Sequence, residues 1–262
     1  MTDPAVVFVV LTEDTGGSGW KPVVTCVHAM CDLLISGVDW RGVPTIPRED
    51  AGVDVLRSLG VKLWRGRGGL AHQSRVRLAQ YLADQLLDGS GVPRFVFFHL
   101  DADLTWNQGG ADASTNVRQF RDLLEPSIRF WLNSRRAVDL DSLMQRLHLV
   151  VPAYSIESWL YQSTARASEL CRQRACGGAH VAQFEAWAAD RTLLDDVHTP
   201  KDQRDLHCLQ DADKASLASA LPVEALYAAG RSFARAVDAL ADDGALLNAL
   251  IATPRGASAD RD

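Results

Sequence analysis

The sequence predicts an α/β protein, in which a parallel sheet is flanked by helices and followed by a helical C-terminal part. Short apolar runs at residues 5–11, 95–100 and 147–151 have the composition of buried parallel strands. Between them lie longer stretches with the apolar period of helices that pack on a sheet. No convincing strand follows residue 160, so the rest of the chain is expected to be helical.

The first half of the chain alternates strands with helices. The helix after the first strand has Pro22 near its start and Gly37 just past its end, which are usual positions for these residues. Arginine and glycine alternate in a basic loop over residues 61–69. The elements predicted here are strands at 5–11 and 43–46 and helices at 20–36, 49–59 and 74–87.

The second half begins with the strand at 95–100 and ends in helices rich in Ala and Leu. We divide the chain into an α/β core at 1–165, a helical region at 166–253 and a disordered tail at 254–262. The other predicted elements are a polar loop at 104–114, a strand at 147–151 and helices at 116–132, 155–160, 181–194, 214–220, 223–240 and 244–251.

The composition is that of an ordinary globular protein, with 262 residues, 47% of them hydrophobic and 23% charged. No run of about 18 apolar residues is present, and the opening Met-Thr-Asp-Pro lacks the basic start of a signal peptide. We therefore expect no membrane span, no signal peptide and a cytoplasmic location. The net charge of −6 argues against a protein that coats nucleic acid, but it leaves room for an enzyme with a local basic groove.

The five cysteines fit a reducing compartment better than a disulfide framework. Cys171, Cys176, His180, His207 and Cys208 contain the residue types of a zinc site. Neither cysteine spacing is the tight Cys-x-x-Cys type, and no second pair repeats it. The sequence therefore favours ordinary core or surface thiols.

Acidic side chains follow two of the predicted strands, at the point where each strand ends. Asp101 and Asp103 follow the run at 95–100, and Glu13 follows the run at 5–11. A lone Asp-x-Asp is also common in ordinary turns with solvated acids. Because the carboxyl ends of parallel strands lie at one edge of a sheet, we expect the three acids to meet there. Carboxylates are the protein ligands that Mg²⁺ prefers.

A glycine-rich turn at Gly16, Gly17 and Gly19 follows the first acid and is placed to offer backbone N–H groups to an anion. No Gly-Lys-Ser/Thr follows it, which excludes a Walker loop, and the dinucleotide-binding glycine pattern is absent from the sequence.

Taken in order, a strand ending in Glu13, a glycine turn and a strand ending in Asp101-Ala102-Asp103 resemble the TOPRIM domain of topoisomerases, primases and OLD-type nucleases. The chain is most similar in pattern to small stand-alone TOPRIM-like proteins of bacterial phage-defence systems. Three further stretches carry the likeness, at residues 66–70, 155–160 and 199–233.

The resemblance implies a Rossmann-like TOPRIM sheet of about four parallel strands, with the Glu strand beside the Asp-x-Asp strand. It also implies a Mg²⁺ or Mn²⁺ cofactor, with Asp101 and Asp103 as metal ligands and Glu13 as a ligand or general acid/base. Glu157 takes the place of the additional carboxylate of OLD-type enzymes. These carboxylates would carry phosphodiester cleavage.

Four basic residues are candidates for contact with the phosphates of a nucleic acid, although solvated surface charge is the alternative for each. They are Arg65, Arg67, Lys201 and Lys214.

These features predict a metal-dependent nuclease acting on DNA or RNA as an effector of a bacterial phage-defence or toxin system. One alternative is a catalytically silent TOPRIM-fold subunit that binds a partner ATPase or another defence subunit. A nucleotide-sugar glycosyltransferase also uses Asp-x-Asp to hold Mn²⁺, but it gives no role to Glu13 and ranks lower. A homo-oligomer is left open.

Overall fold

Four parallel strands form a sheet in the computed structural model, which describes residues 4–13, 17–46, 48–60, 62–87, 89–135, 139–176, 178–200 and 208–255. The strands are β1 (Val7–Thr12), β2 (Thr45–Ile46), β3 (Arg94–His99) and β4 (Leu147–Val150), in the spatial order β2-β1-β3-β4. All neighbours in the sheet are parallel. The predicted fold class, a parallel sheet flanked by helices, is confirmed.

The two central strands, β1 and β3, pair over their whole length, from Val7 opposite Arg94 to Thr12 opposite His99. All six residues of β1 and five of the six in β3 are buried, because helices cover both faces of the sheet. Valine and phenylalanine fit such a pleated, buried surface well. Since the two strands end opposite each other, the chain leaves both at the same edge of the sheet.

Helices flank the sheet and form the C-terminal part, and none in the described part of the chain has the length and apolarity needed to cross a membrane. The first seven are α1 (Gly17–Leu34), α2 (Val53–Gly60), α3 (Gly69–Leu86), α4 (Gly110–Ala113), α5 (Thr115–Gln119), α6 (Glu125–Ser134) and α7 (Leu140–Gln145). The next seven are α8 (Glu157–Leu160), α9 (Thr164–Gln173), α10 (Gly178–Ala189), α11 (Lys214–Ser219), α12 (Val223–Ala228), α13 (Ser232–Ala241) and α14 (Gly244–Ala252).

Each face of the sheet has its own hydrophobic core, because successive side chains of a strand point to opposite faces. On one face Phe8 and Phe97 lie with their ring centroids 4.7 Å apart, beneath α1 and the C-terminal helices. On the other face Phe98 packs with Trp64 and Phe120, beneath α3 and α6. Helix α1 also packs against α11 and α13, so the C-terminal helices share a continuous core with the sheet.

Glycine and proline account for several differences from the predicted elements. Helix α3 begins at Gly69 instead of residue 74, because Gly68 adopts a φ of +90° and ends the basic loop early. The predicted helix at 223–240 is two helices, divided at Gly230 with a φ of +65°. The helix at 116–132 contains a π-helical turn just before Pro126, whose nitrogen has no N–H to donate.

Other differences concern elements with weak patterns. The predicted loop at 104–114 contains the short helix α4, and neither α7 nor α9 was predicted, because α7 is brief and α9 is largely polar. The predicted disordered tail is ordered at its start. Asp39 N donates to Pro254 O over 3.0 Å, and Arg255 Nη1 donates to Ser36 O over 2.9 Å. Residues 256–262 lie outside the described residues.

The core beneath the sheet gives a direct test of this packing. Phe97 is fully buried and Phe130 is 66% exposed. Phe97→Ala is expected to lower the free energy of unfolding by about 3–5 kcal/mol, because it removes a ring from a close-packed core. Phe130→Ala should change it by less than about 0.5 kcal/mol. Urea denaturation of both variants measures the difference, and equal losses would contradict the assignment of this core.

Candidate active site at the carboxyl edge of the sheet

The ends of β1 and β3 deliver acidic residues to one edge of the sheet. Thr12, the last residue of β1, lies opposite His99, the last residue of β3. Glu13 follows Thr12 directly, and Asp101 follows His99 by two residues. The two strand ends therefore converge, as the sequence predicts. The contacts of each carboxylate could be seen only in the structure.

Glu13 is buried beside two cations. Its Oε2 accepts a hydrogen bond from Arg65 Nη2, and Lys62 Nζ lies 4.0 Å from the same oxygen. The other oxygen, Oε1, is buried and has no hydrogen bond of standard geometry. Burial raises the pKa of Glu13 to about 7, against the opposing effects of Arg65 and Lys62, while nearby Asp101 raises it further. Glu13 is thus an acid that can gain or lose a proton near neutral pH.

Asp101 lies beside His99, the last residue of β3. A hydrogen bond of 2.9 Å joins Thr12 Oγ1 to His99 Nδ1, which fixes the imidazole across the two strands. The other ring nitrogen, Nε2, lies 3.5 Å from Asp101 Oδ1. Asp101 is only 8% exposed, and its backbone carbonyl accepts a hydrogen bond of 2.6 Å from Asn116 Nδ2. The hydrogen bond between Thr12 and His99 therefore links the two strand ends beside this carboxylate.

Asp103 is exposed, but its backbone is tightly held. It adopts a φ of +50°, which is uncommon for a residue other than glycine. Its backbone N–H donates to Tyr154 O over 2.9 Å, and Asn116 Nδ2 donates to Asp103 Oδ2 over 2.8 Å. Ser114 Oγ fixes the preceding carbonyl, that of Ala102, over 2.7 Å. Strained backbone held by several partners is typical of functional loops.

Arg65 lies among the three acids. Its side chain is 9% exposed, and its guanidinium stacks 5.1 Å from the centroid of the Trp64 ring. Burial lowers the pKa of Arg65, against the opposing effects of Glu13, Asp103 and Asp101. An arginine stays charged under these conditions, so the site contains one buried cation facing three carboxylates.

The loop that carries Arg65 is fixed from below by Arg75, whose Nη1 donates to Trp64 O over 2.9 Å and to Gly66 O over 3.0 Å. Arg67, the second predicted phosphate contact, is exposed two residues further on. Helix α3 begins directly after this loop, with no side chain capping its first turn. This short loop therefore carries two arginines and leads into the N-terminus of a helix that no side chain caps.

The fit of a divalent cation depends on these contacts. Mg²⁺ is commonly held by one or two carboxylates and several waters, which the hard oxygens of Asp101 and Asp103 can satisfy. Glu13 is engaged by Arg65, and in the described part of the chain the acids of this edge do not form a compact group of three ligands. The donor set fits a hydrated hard cation at Asp101 and Asp103.

Glu157 and Lys214 contact each other. Lys214 Nζ lies 2.9 Å from Glu157 Oε1 and 3.1 Å from Asp211 Oδ1. Burial alone would raise the pKa of Glu157, but Lys214 outweighs it and holds that pKa below the usual value. The resemblance placed Glu157 with the metal ligands, and the sequence placed Lys214 with the phosphate contacts. In the structure these two side chains form an ion pair with each other.

Two other parts of the predicted site lie outside the described residues. They are Lys201 and Gly16, the first glycine of the predicted turn, whereas Gly17 and Gly19 lie in the first turn of helix α1. Conversely, sequence reasoning missed His99 and Asn116. A signal existed for His99, because it lies two residues before Asp101 and would share its face if the strand continued to that residue. No local pattern pointed to Asn116, which reaches the site from α5.

Comparison of this chain with protein-family models, with curated proteins and with solved structures gives no match. The likeness to TOPRIM proteins therefore depends on the sequence motifs alone and stays a prediction.

The raised pKa of Glu13 predicts a pH effect on stability. Between the ordinary value of 4.5 and the folded value of about 7, the unfolded chain releases the Glu13 proton while the folded protein keeps it. Stability should therefore fall with rising pH across this interval, by at most about 3 kcal/mol relative to Glu13→Gln. Denaturation of both proteins in chelator across the interval measures this. Parallel pH profiles would contradict the buried, proton-retaining Glu13.

The buried pair of Glu157 and Lys214 predicts a second effect on stability. Lys214→Met leaves the Glu157 carboxylate buried without its cation and should cost about 3–5 kcal/mol. Adding Glu157→Gln should restore most of that loss, because no buried charge then remains. Lys21→Met, at an exposed lysine, is the control. Thermal and urea denaturation measure the stability of wild type, the single variant, the double variant and the control. A Lys214→Met variant as stable as wild type would show that the contact does not stabilise the fold.

Proposed function

We propose that this protein is a Mg²⁺- or Mn²⁺-dependent nuclease that hydrolyses phosphodiesters of DNA or RNA. The observation that carries the proposal is the register of β1 and β3, which brings Glu13 to the same edge as Asp101 and Asp103. The strained backbone of Asp103 and the raised pKa of Glu13 add support, since both are characteristic of functional sites.

Asp101 and Asp103 are the residues that would hold the cation. Asn116 donates a hydrogen bond to the Asp103 carboxylate, and His99 Nε2 lies 3.5 Å from Asp101 Oδ1, so both carboxylates have polar protein neighbours beside the proposed cation. When bound, a divalent cation supplies charge stabilisation at the phosphoryl group and lowers the pKa of bound water. Glu13, with a pKa of about 7, is suited to accept or donate a proton in the reaction.

The loop of Arg65 and Arg67 is the proposed phosphate contact. Arg67 is exposed, and the N-terminus of α3, an 18-residue helix, follows it directly. Backbone N–H groups of such a terminus and arginine side chains both favour phosphate oxygens. A negatively charged nucleic-acid backbone would therefore approach the acids from the side of this loop.

The cellular role belongs to the same proposal. The resemblance to stand-alone TOPRIM-like proteins supports an effector of a bacterial phage-defence or toxin system acting in the cytoplasm. Such effectors are expected to respond to a trigger or a partner subunit.

The contact between Arg65 and Glu13 favours a second candidate function. It engages the acid that would otherwise complete a carboxylate cluster. In such a TOPRIM-like subunit, an arginine supplies the positive charge that a metal ion would otherwise supply. The subunit would bind a partner ATPase or another defence subunit without cleaving nucleic acid.

Asp101→Asn separates the two candidates. With plasmid, single-stranded DNA and total tRNA as substrates and Mg²⁺ or Mn²⁺ present, wild type should cleave at least one of them. The variant should lose at least about a hundredfold in rate, equivalent to about 2.7 kcal/mol, because it loses a charged ligand. The matched control is Asp122→Asn, at an exposed acid on the π-helical turn.

Binding of Mn²⁺ measured by calorimetry gives a readout that does not require the right substrate. The nuclease proposal expects binding by wild type and by Asp122→Asn, and its loss in Asp101→Asn. Full cleavage or full Mn²⁺ binding by Asp101→Asn would overturn it. No cleavage and no Mn²⁺ binding by wild type would favour the binding subunit.

A further inference from the structure

Three cysteines and a histidine meet at a place remote in sequence from the acids of the sheet. Cys171 lies near the end of α9, Cys176 in the turn after it, His180 in the first turn of α10, and Cys208 beyond α10. In the described part of the chain, this is the one group of three or more potential metal ligands whose atoms lie close together.

A turn with defined geometry brings Cys176 back beside Cys171. Cys176 N–H donates to Cys171 O, and Ala175 N–H donates to Arg172 O, each over 3.1 Å. This is the Schellman arrangement at a helix end, and Ala175 takes its left-handed position with a φ of +51°. An alanine is strained in that conformation, so the turn is held by its surroundings. Helix α10 then starts at once and carries His180 back to the same place.

The four ligand atoms form a compact set. The Sγ atoms of Cys171 and Cys208 lie 2.8 Å apart, and His180 Nδ1 lies 3.1 Å from Cys208 Sγ. All four atoms lie within 4.8 Å of one another. Around a tetrahedral zinc ion, with Zn–S bonds of about 2.3 Å, neighbouring ligand atoms are about 3.5–3.8 Å apart. Small side-chain adjustments would therefore give all four atoms that spacing.

Cys208 is anchored by residues outside the cluster. Arg174, in the turn between the first two cysteines, donates from Nη1 to the carbonyl of Cys208 over 2.6 Å. The same guanidinium forms hydrogen bonds of 2.6 and 2.7 Å with both oxygens of Asp213, whose Oδ2 also accepts from Gln210 N. Such supporting contacts orient the ligands of metal sites. They hold Cys208 in place although it comes from a separate part of the chain.

We propose that Cys171, Cys176, His180 and Cys208 bind a structural zinc ion. Three thiolates and one imidazole are a standard donor set for Zn²⁺, and four protein ligands leave no open position for catalysis. Cys171, His180 and Cys208 are buried and Cys176 is half-buried, as expected for a closed site. The ion joins α9, α10 and the Cys208 segment, which pack beside the core beneath the sheet.

The site is independent of the proposed nuclease function. It uses different residues, and a soft thiolate set excludes Mg²⁺ as its metal. It differs from the expectation of ordinary thiols in the sequence analysis. The sequence spacing argued against zinc because four residues separate the first two cysteines and the third lies beyond a long intervening segment. The turn at the end of α9 brings Cys176 beside Cys171, and the fold brings Cys208 to both. His207, the other candidate ligand, lies outside the described residues.

The test is the metal content of the full chain purified without chelator. Elemental analysis should find about one zinc per chain in wild type. Cys176→Ser, at the half-buried ligand, should retain at least tenfold less zinc. Cys31→Ala, at a buried cysteine of α1 outside the cluster, should retain it. Circular dichroism verifies that both variants are folded.

Cobalt substitution gives a second readout that needs no variant. Wild type stripped of metal and titrated with Co²⁺ should show the visible bands of tetrahedral coordination and a near-ultraviolet thiolate-to-cobalt band, saturating near one equivalent. Less than about a tenth of a zinc per chain together with no cobalt bands would overturn the site. So would zinc retained by a folded Cys176→Ser, or a mass deficit of two hydrogens showing a Cys171–Cys208 disulfide.

Discussion

The in-register pairing of β1 with β3 is the constraint on which the site depends. Every residue of β1 has a partner on β3, and both strands are buried between helices, so neither can slide without moving its apolar side chains. A shift by one residue would turn each side chain to the other face of the sheet. The burial of Phe8, Phe97 and Phe98 therefore also fixes where Glu13 and Asp101 leave the sheet.

The charge balance at this edge follows from the same geometry. Carboxylates brought together in a partly buried place repel one another unless a cation compensates them. Arg65 provides that compensation in the protein itself, through its contact with Glu13. A divalent cation at Asp101 and Asp103 would add positive charge close to Arg65. The two can share the site if Glu13 remains with the arginine.

The sequence was sufficient for features carried by local patterns. Apolar runs predicted the sheet, and strand-ending acids predicted that carboxylates meet at one edge of it, since both patterns depend only on neighbouring residues. Contacts across the chain could not be predicted in this way. Asn116 reaches two residues of the Asp101–Asp103 segment from a later helix, and Lys214 pairs with Glu157 over a long separation. The cluster of Cys171, Cys176, His180 and Cys208 is the clearest case, because Cys208 joins the others only through the fold.

The most direct test of the central claim is a crystal structure with Mn²⁺ and an anomalous difference map. If the edge holds a metal ion, the map should show a peak within coordination distance of both Asp101 and Asp103, with Arg65 still beside Glu13. This would show that the edge formed by β1 and β3 is a hard-cation site. A map with no peak there, from crystals in which the edge is open to solvent, would contradict it. The acids of this edge would then have no metal to hold, and the sheet would carry a binding function instead.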